Sequence, residues 1–315
     1  GGMLGCFAEG RPGEDKLLAI SRDSVARWPA LLERLADPSV QTATDALMIG
    51  ATAADVDHLA AQVRFLLSEE PDDVDRLPAV TPAALRRAEP ALVRGIAGGF
   101  RVIGEGSVDN RRLIAALESA LDVSGADRVS ARIDDLSEVP GDQILVAAGL
   151  GTRSLLPDID LRGEKGEILR LRRTRWSVAP PAHVIRARWH GRAAYLVPRR
   201  DGIVLGATQY EAYDDTDRLP LAGGVADLLA DAGELMPNLR TYELVEAGAG
   251  IRPSSPDGVP IVERVDARVT VAAGHGRNGI ALAPWTAQRV LDLLTASADQ
   301  PTTEPDPEPR STPWN

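Results

Sequence analysis

A glycine-rich turn near the end of the sequence, "GHGRNG" at 274–279, has residue types suited to holding a charged or polar group. It follows a short apolar run at 268–273 and precedes apolar residues at helical spacing from 283 to 294. Unpaired backbone N–H groups and the helix dipole coincide at the start of a helix. The turn is therefore either an anion or dipole site or a structural strand-to-helix connection, and this stretch alone leaves both open.

Two further stretches carry side chains that could bind a small acid. Arg252 lies in "GAGIRPSSPDGVP", at the predicted end of a strand, and a planar guanidinium matches the two oxygens of a carboxylate. An isolated arginine is also a common partner in an interdomain salt bridge. Tyr195 and Gln209 belong to a predicted hairpin, where they either line a pocket or pack on a sheet face. The sequence shows neither a pair of carboxylates nor a histidine that would have to act as an acid–base catalyst.

Composition narrows the classes of protein. The 315 residues are 44% hydrophobic with a net charge of −11 and a pI near 5.0, which disfavours nucleic acid and anionic membranes as partners. No apolar run approaches the roughly 20 residues of a membrane span, and no signal peptide is evident. The single cysteine, Cys6, excludes an intramolecular disulfide and favours the cytoplasm. The four histidines lack metal-ligand spacing, so no metal site is expected.

The elements that must position these residues alternate in type along the chain. Apolar periodicity predicts helices at 16–35, 53–67, 108–121, 222–235 and 283–294, with a kink at Pro29. "QILVAAGLG" predicts a strand buried on both faces, and 166–208 predicts an antiparallel sheet of successive strands. The proline-rich, acidic segment 297–315 is expected to be disordered. Such interleaving predicts a ligand at a domain junction.

Taken together, the motifs resemble one family. In order along the chain they are "GGML", "VDNRRL", "ILVAAG", "GEKGEILRLR", "YLVPRRDG", "GAGIRPSSPDGVPIV" and "AAGHGRNGIALAPWTA". This series is similar to the ThiO-type glycine oxidases of the FAD-dependent D-amino-acid oxidase superfamily. The resemblance extends over residues 1–294 and shifts the interpretation of Arg252, Tyr195 and Arg277 from packing to function.

The resemblance implies a mixed α/β (α+β) fold, with a Rossmann-like FAD-binding domain interleaved with an antiparallel-sheet substrate domain. We expect the FAD-binding domain at 1–41, 107–160 and 247–296, and the substrate domain at 42–106 and 161–246. The substrate carboxylate would be bound by Arg252, assisted by Tyr195, with Gln209 in the pocket and Arg277 reaching toward the substrate. The residues implied to contact FAD are Gly1, Gly2, Met3, Leu4, Val129, Ala148, Gly149, Gly274, His275, Arg277, Asn278, Gly279 and Ile280.

Two departures from the family pattern stand out. The family opens with a strand and a G-x-G-x-x-G turn that binds the pyrophosphate, and the first βαβ unit has no counterpart at the start of this sequence. Weaker FAD binding by this polypeptide is therefore expected. Some relatives link the flavin to a cysteine near the position of Ser254 or Ser255. This sequence has no cysteine there, so FAD is expected to be non-covalent.

The implied reaction is oxidative deamination of glycine, or another small amino acid, to glyoxylate, ammonia and hydrogen peroxide. Dioxygen is the second substrate, and the pathway served would be thiamine thiazole synthesis. Sarcosine or D-amino-acid oxidation within the same superfamily remains an alternative. So does a non-catalytic, truncated remnant that does not hold FAD. The sequence leaves open whether the protein forms a homo-oligomer.

Overall fold

The computed structural model describes residues 1–5, 9–212 and 216–296. Its helices are α1 Asp15–Leu35, α2 Ala53–Glu69, α3 Pro82–Ala88, α4 Asn110–Ser124, α5 Thr152–Leu155, α6 Ala222–Leu235 and α7 Ala283–Thr295. Its strands are β1 Gln41–Ala43, β2 Ala46–Gly50, β3 Ala79–Val80, β4 Gly98–Val102, β5 Ser107–Val108, β6 Ile144–Val146, β7 Arg162–Arg172, β8 Val184–Trp189, β9 Arg192–Arg199, β10 Gly202–Gly206, β11 Tyr210–Glu211, β12 Glu243–Ser254, β13 Ile261–Arg264 and β14 Val269–Ala273.

The largest sheet in the described residues joins strands from well-separated parts of the chain, in the order β11-β7-β10-β9-β8-β2-β4-β3, with β12 also pairing with β7. The β7, β8, β9 and β10 strands confirm the antiparallel run predicted at 166–208. The long antiparallel pair of β12 and β7 places Arg252 opposite Glu164 and Gly250 opposite Gly166. One end of this pair therefore carries the predicted carboxylate anchor.

The two faces of the large sheet are covered by different helices. Leu235 of α6 is buried in a cluster with Leu196 and Ile203 on one face. Leu59 and Val63 of α2 are buried with Met48 on the other. Because successive side chains of a strand point to opposite faces, Leu196 faces α6 while Tyr195 lies on the α2 side.

A second layer is built from a small sheet in the order β13-β14-β6, in which β14 and β6 are parallel. Helix α7 packs on β13 and β14 through Val290 and Leu293. The chain just before α7 is held by α1, because the Ala281 carbonyl accepts hydrogen bonds from Ser24 Oγ at 2.7 Å and Trp28 Nε1 at 3.0 Å. The turn that precedes α7 is thereby fixed against the second layer.

Several sequence expectations can be compared with these elements. Helix α6 has the predicted bounds, and Asp109 caps α4 as expected by accepting from the Arg111 backbone N–H. Helix α1 continues across Pro29 to Leu35. The strand at β6 was expected to be buried on both faces, and this is wrong, because Leu145 is 43% exposed while Ile144 and Val146 are buried. Segment 297–315 lies outside the described residues, and the domain division stays a prediction.

Two properties of the described residues bear on function. No helix among them is long and apolar enough to cross a membrane. The same residues contain no group of three or more His, Cys, Asp or Glu side chains arranged to hold a metal ion.

Candidate active site

A cavity of about 160 Å³, termed the small cavity, lies where the start of the chain, the large sheet and the turn before α7 meet. Residues that sequence reasoning did not single out also line it, namely Gly5, Glu9, Ala207, Thr208 and Ala281. The structure brings many of the proposed site residues to this one place. Those that line the small cavity are Gly1, Gly2, Met3, Tyr195, Gln209, Arg252, Arg277, Asn278 and Ile280.

Arg252 lies flat over a glycine in the neighbouring strand. A Cβ added at Gly166 would lie 1.9 Å from Nη2 of Arg252, so only glycine leaves room for the guanidinium there. The Thr208 carbonyl lies 3.5 Å from the same nitrogen, at the limit of a hydrogen bond. Within the described part of the chain, no carboxylate pairs with Arg252. Its charge therefore faces the cavity without a counterion, as binding an external carboxylate requires.

The segment that supports Arg252 is held by a buried carboxylate. Glu167 is fully buried, and it accepts hydrogen bonds from Thr208 Oγ1 at 3.1 Å and from the Leu221 backbone N–H at 2.6 Å. The Glu167 backbone N–H donates in turn to Thr208 Oγ1 at 3.0 Å. This network fixes the chain at Thr208, whose carbonyl faces Arg252.

Tyr195 stands against the small cavity with its hydroxyl in a tightly packed position. A Cβ at Gly206 would lie 2.4 Å from the Tyr195 hydroxyl, and a Cβ at Gly1 would lie 3.4 Å from it. Burial raises the pKa of Tyr195 to about 12, against the smaller opposing effect of the Arg252 charge. The phenol is therefore protonated at neutral pH and can donate a hydrogen bond.

Arg277 lines the small cavity but is already engaged. Its Nε donates to Glu9 Oε2 at 2.9 Å, while Arg186 Nη2 lies 3.0 Å from Glu9 Oε1. Burial raises the pKa of Glu9, but the charges of Arg186 and Arg277 outweigh it and hold that pKa below its ordinary value. Arg277 thus binds a carboxylate of the chain itself. Gln209 is similarly occupied, because its Nε2 donates to Glu164 at 3.3 Å.

The glycine turn has a backbone conformation that favours glycine, and its histidine is partly buried. Gly274 and Gly276 have φ values of 76° and 53°, a region that disfavours other residues. A hydrogen bond of 2.8 Å joins His275 Nε2 and Thr286 Oγ1. Burial lowers the pKa of His275 to about 4. The histidine is therefore neutral near pH 7. Gly274, Gly276 and Gly279 also have the spacing G-x-G-x-x-G, here between β14 and α7.

The first residues of the chain are fixed along one wall. A Cβ at Gly2 would lie 2.1 Å from the Val108 carbonyl oxygen, and the Gly2 carbonyl accepts from the Val108 N–H at 2.8 Å. Leu4 is buried beside Trp28 and Leu113, behind the cavity wall. Gly2 thus lines the small cavity directly, and Leu4 supports it from behind.

Not every proposed residue is brought to the small cavity. Val129 is 83% exposed and does not line it. Ala148 is exposed, just beyond the end of β6. Gly149 has a φ of 59°, and a Cβ on it would lie 3.9 Å from Pro253, next to Arg252. Gly274, His275 and Gly279 form the turn behind Asn278 and are not in the cavity lining.

Comparison with known proteins shows the family of this chain. Residues 1–293 match the family described as FAD dependent oxidoreductase, DAO. The chain belongs to this family. It is therefore an FAD-dependent oxidoreductase, and FAD is its cofactor. The fold expected from the sequence is confirmed at the level of this family.

Individual relatives are similar along most of the chain. A glycine oxidase of Geobacillus kaustophilus is 30% identical over 327 residues, covering 93% of this chain and 81% of that protein. The crystal structure of glycine oxidase from Geobacillus kaustophilus superposes with a TM-score of 0.78 at 27% identity, over 93% of this chain and 82% of that one. A bifunctional protein ThiO/ThiG of Nostoc sp. is 30% identical over 236 residues, but the match spans only 35% of its length.

The residues around the glycine turn fit one polar edge of FAD. The hydroxyls of Ser254 and Ser255 are buried, and neither has a hydrogen-bond partner among the described residues. The backbones of Ser254 and His275 pair in an isolated antiparallel bridge. A Cβ added at Gly276 would lie 3.0 Å from Ser254 Oγ. Unsatisfied buried donors beside a glycine backbone suit a ligand with several acceptor atoms. The Ser254 and Ser255 hydroxyls beside this turn are thus groups of the kind that a polar edge of FAD can use.

Proposed function

We propose that the protein oxidises the amine of glycine, or of another small amino acid, with dioxygen as electron acceptor. The observation that carries this proposal is the guanidinium of Arg252, which faces a cavity of about 160 Å³ with no carboxylate of the described chain paired to it. A half-buried, unpaired guanidinium favours an external carboxylate held by two parallel hydrogen bonds. The name glycine oxidase supports the same substrate class, and a relative from Rhizobium etli named putative thiamine biosynthesis oxidoreductase ThiO supports a role in thiamine biosynthesis.

The overall reaction would convert glycine, dioxygen and water into glyoxylate, ammonia and hydrogen peroxide. When bound, FAD would supply the two-electron redox chemistry that links the substrate to dioxygen. Arg252 holds the substrate carboxylate, and the neutral Tyr195 phenol donates a hydrogen bond beside it. Together they set which face of Cα is presented. The flavin would be held by Ser254, Ser255 and the turn at 274–280.

The chain's own residues also indicate how protons are handled. Among the described lining residues, Glu9 is the carboxylate, and it is held ionised between Arg186 and Arg277. His275 is neutral and bonded to Thr286. Neither is placed as a base at the small cavity, so the substrate would react as its neutral amine. Positioning then carries most of the rate that the protein contributes.

The direct test uses the full-length protein loaded with FAD. Anaerobic addition of glycine should remove the visible absorbance of the oxidised flavin, and admitting oxygen should then release glyoxylate and peroxide in equal amounts. Sarcosine and D-alanine, run in parallel, rank the small amines. An unchanged spectrum with glycine, in protein shown to contain FAD, would rule out the proposal.

A further inference from the structure

A second cavity of about 690 Å³, termed the large cavity, adjoins the small one. Glu9, Tyr195 and Ala207 line both, so these residues separate the two spaces. The large cavity lies between helix α2 and the face of β8 and β9 that carries Tyr195. It therefore opens beside the position proposed for the substrate.

Part of the wall of the large cavity is apolar. Met48 and Leu59 are buried side chains of β2 and α2 that face it, together with the half-buried Phe65. Ala61, Ala193 and Ala207 also line it, and their short side chains leave the volume open. An apolar surface of this kind gains free energy when an apolar group replaces water.

Two arginines that line this cavity, Arg186 and Arg188, are neutralised by partners, while a third, Arg11, is exposed. Arg186 is paired with Glu9 at 3.0 Å and donates to the Gly5 carbonyl at 2.9 Å. Arg188 lies 3.6 Å from Asp55, which is itself buried. The paired charges do not require a charged ligand, and the apolar wall remains the feature available for recognition.

The two volumes differ in what they can hold. Pockets for larger organic ligands have volumes of roughly 300–1,000 Å³, and the small cavity falls below that range while the large cavity falls within it. We infer that the active site accepts amino acids bearing an apolar substituent of about phenyl size. Arg252 holds their carboxylate, and the substituent passes Ala207 into the large cavity. This inference rests on the proposed amine oxidation and names a broader substrate class for it.

The chemistry is the same for either point of attachment of the substituent. With N-benzylglycine, Cα loses a hydrogen with its electron pair and nitrogen loses a proton, which forms a C=N bond. Water then splits the imine into glyoxylate and benzylamine, while dioxygen is reduced to hydrogen peroxide. With phenylalanine, the same steps give phenylpyruvate and ammonia. Comparing N-benzylglycine with D- and L-phenylalanine therefore shows whether nitrogen or Cα carries the accepted substituent.

The decisive variant fills the large cavity without touching Arg252. Ala193 lies two residues before Tyr195 on the same face of β9, and it is exposed enough for a larger side chain to be tolerated. Ala193→Trp should lower kcat/KM for the preferred phenyl-bearing substrate roughly 10- to 150-fold, the loss expected when an aromatic group can no longer be buried. For glycine, kcat/KM should change less than about twofold, because burial of an aromatic group is not involved.

The matched control is Ala230→Trp, an exposed position on helix α6, which covers the opposite face of the sheet. It should leave both substrates unaffected. The inference is overturned if wild type oxidises glycine but none of the phenyl-bearing substrates, or if Ala193→Trp impairs glycine and the larger substrate equally. Benzaldehyde among the products would also overturn it, because the benzylic carbon would then occupy the place assigned to Cα.

Binding separates this inference from the proposed function. Anaerobic calorimetry on the FAD-loaded full-length protein measures the Kd of N-benzylglycine and of D- and L-phenylalanine directly, whether or not glycine is oxidised. One of these ligands should bind, and Ala193→Trp should weaken it roughly 10- to 150-fold. Failure of glycine turnover with this pattern of binding would reject the proposed reaction alone. Absence of binding by all three ligands would reject the inference alone.

Discussion

Arg252 is the residue on which the proposed substrate binding depends. Its guanidinium has no carboxylate partner in the described chain, so removing it should leave no buried acid unpaired. Arg252→Ala should lower kcat/KM for glycine by about 30-fold to several-thousand-fold, corresponding to about 2–5 kcal/mol for truncating one member of a shielded charge pair. Arg252→Lys should recover only part of this, because an ammonium cannot reproduce the planar fork. The measurement is glycine-dependent peroxide release per bound flavin.

The same experiment separates substrate binding from structural support. Flavin content and Tm should stay near their wild-type values in Arg252→Ala. The control is Arg200→Ala, at an exposed position on the β9–β10 turn, which should change neither the rate nor the stability. A variant that melts early but keeps its turnover per folded molecule would instead identify Arg252 as a structural arginine.

Gly166 positions this arginine without contacting substrate. A Cβ there would lie 1.9 Å from Nη2 and 2.2 Å from Cζ of Arg252, so Gly166→Ala must displace the guanidinium. We expect KM for glycine to rise at least tenfold, while Tm falls by only a few degrees. Gly250→Ala is the matched control, because Gly250 is the register partner of Gly166 and a Cβ there meets nothing within 4 Å. Equal KM values for the two variants would contradict this role.

His275 predicts how stability responds to acid. Burial lowers its folded-state pKa to about 4, below the ordinary value of 6.5, so between these values the unfolded chain binds a proton that the folded protein does not. This residue's contribution to stability is therefore complete above about pH 6.5 and is lost as pH falls toward 4. His275→Asn should flatten the decline of unfolding free energy in that window by up to about 3 kcal/mol.

The control for this pH dependence is His58→Asn, an exposed histidine on α2. Denaturant melts from pH 4 to pH 7 measure both variants, and His58→Asn should follow the wild-type profile. A His275→Asn profile parallel to wild type across the window would show that His275 titrates normally in the folded protein.

At the scale of single residues, the sequence singled out some of the residues that line the small cavity and missed others for a physical reason. Arg252 and Tyr195 lie in distinctive motifs, and the structure brings both to the small cavity. Glu9 pairs with Arg277, and no local pattern indicates an ion pair between residues 268 positions apart. Gly166 reads as an ordinary strand glycine until β12 is aligned beside it. Such contacts arise only from the register of distant strands.

Among the elements, α1 controls the segment between the glycine turn and α7. The buried Ala281 carbonyl accepts from both Ser24 Oγ and Trp28 Nε1. The lost hydrogen bond should cost about 1 kcal/mol of unfolding free energy in Ser24→Ala and in Trp28→Phe, since one donor remains in each case. Trp28→Phe should lose additional stability, because shortening the buried Trp28 side chain leaves a cavity. The double variant should cost about 1–3 kcal/mol more than the sum, because it leaves the carbonyl unpaired.

Denaturant titration of the four proteins gives this coupling energy directly. A parallel variant, Ser68→Ala, removes an exposed hydroxyl bonded to the Phe65 carbonyl and should cost little. Strict additivity of the Ser24 and Trp28 changes would mean that water reaches the Ala281 carbonyl and that α1 does not fix the turn.

Elements with strong periodicity were predictable, and their pairing was not. The alternation in β9 and β10 and the apolar stripe of α6 indicated those elements from local residues alone. The parallel pairing of β2 with β8 joins segments more than a hundred residues apart, and the side-chain pattern of either strand is compatible with other neighbours. The sequence predicts a buried Leu145, which is exposed in the structure. A continuous apolar run does not distinguish a strand covered on one face from a strand covered on both.

For the whole molecule, the order of the motifs along the sequence predicted the fold family correctly. Motifs from the two layers alternate along the chain, and this order is what resembles the family. The small cavity lies where the start of the chain, strand β9 and the turn before α7 meet, and the location of the active site there stays a prediction. The large cavity could not be anticipated. Its volume depends on how far α2 stands from β8 and β9, which composition and periodicity do not encode.

The last prediction concerns how the assembled molecule holds its cofactor. The only cysteine of the sequence is Cys6, and the positions beside the glycine turn are the serines Ser254 and Ser255, whose hydroxyls are poor nucleophiles. The histidine of that turn, His275, has its Nε2 bonded to Thr286. We therefore expect FAD to be non-covalent. Acid precipitation of the full-length, FAD-loaded protein should leave all of the yellow colour in the supernatant and a colourless pellet. Phosphodiesterase should convert the released flavin to FMN, which confirms its identity as FAD. A yellow pellet would show a covalent bond, and repeating the precipitation with His275→Ala and Cys6→Ser would then identify the residue that forms it.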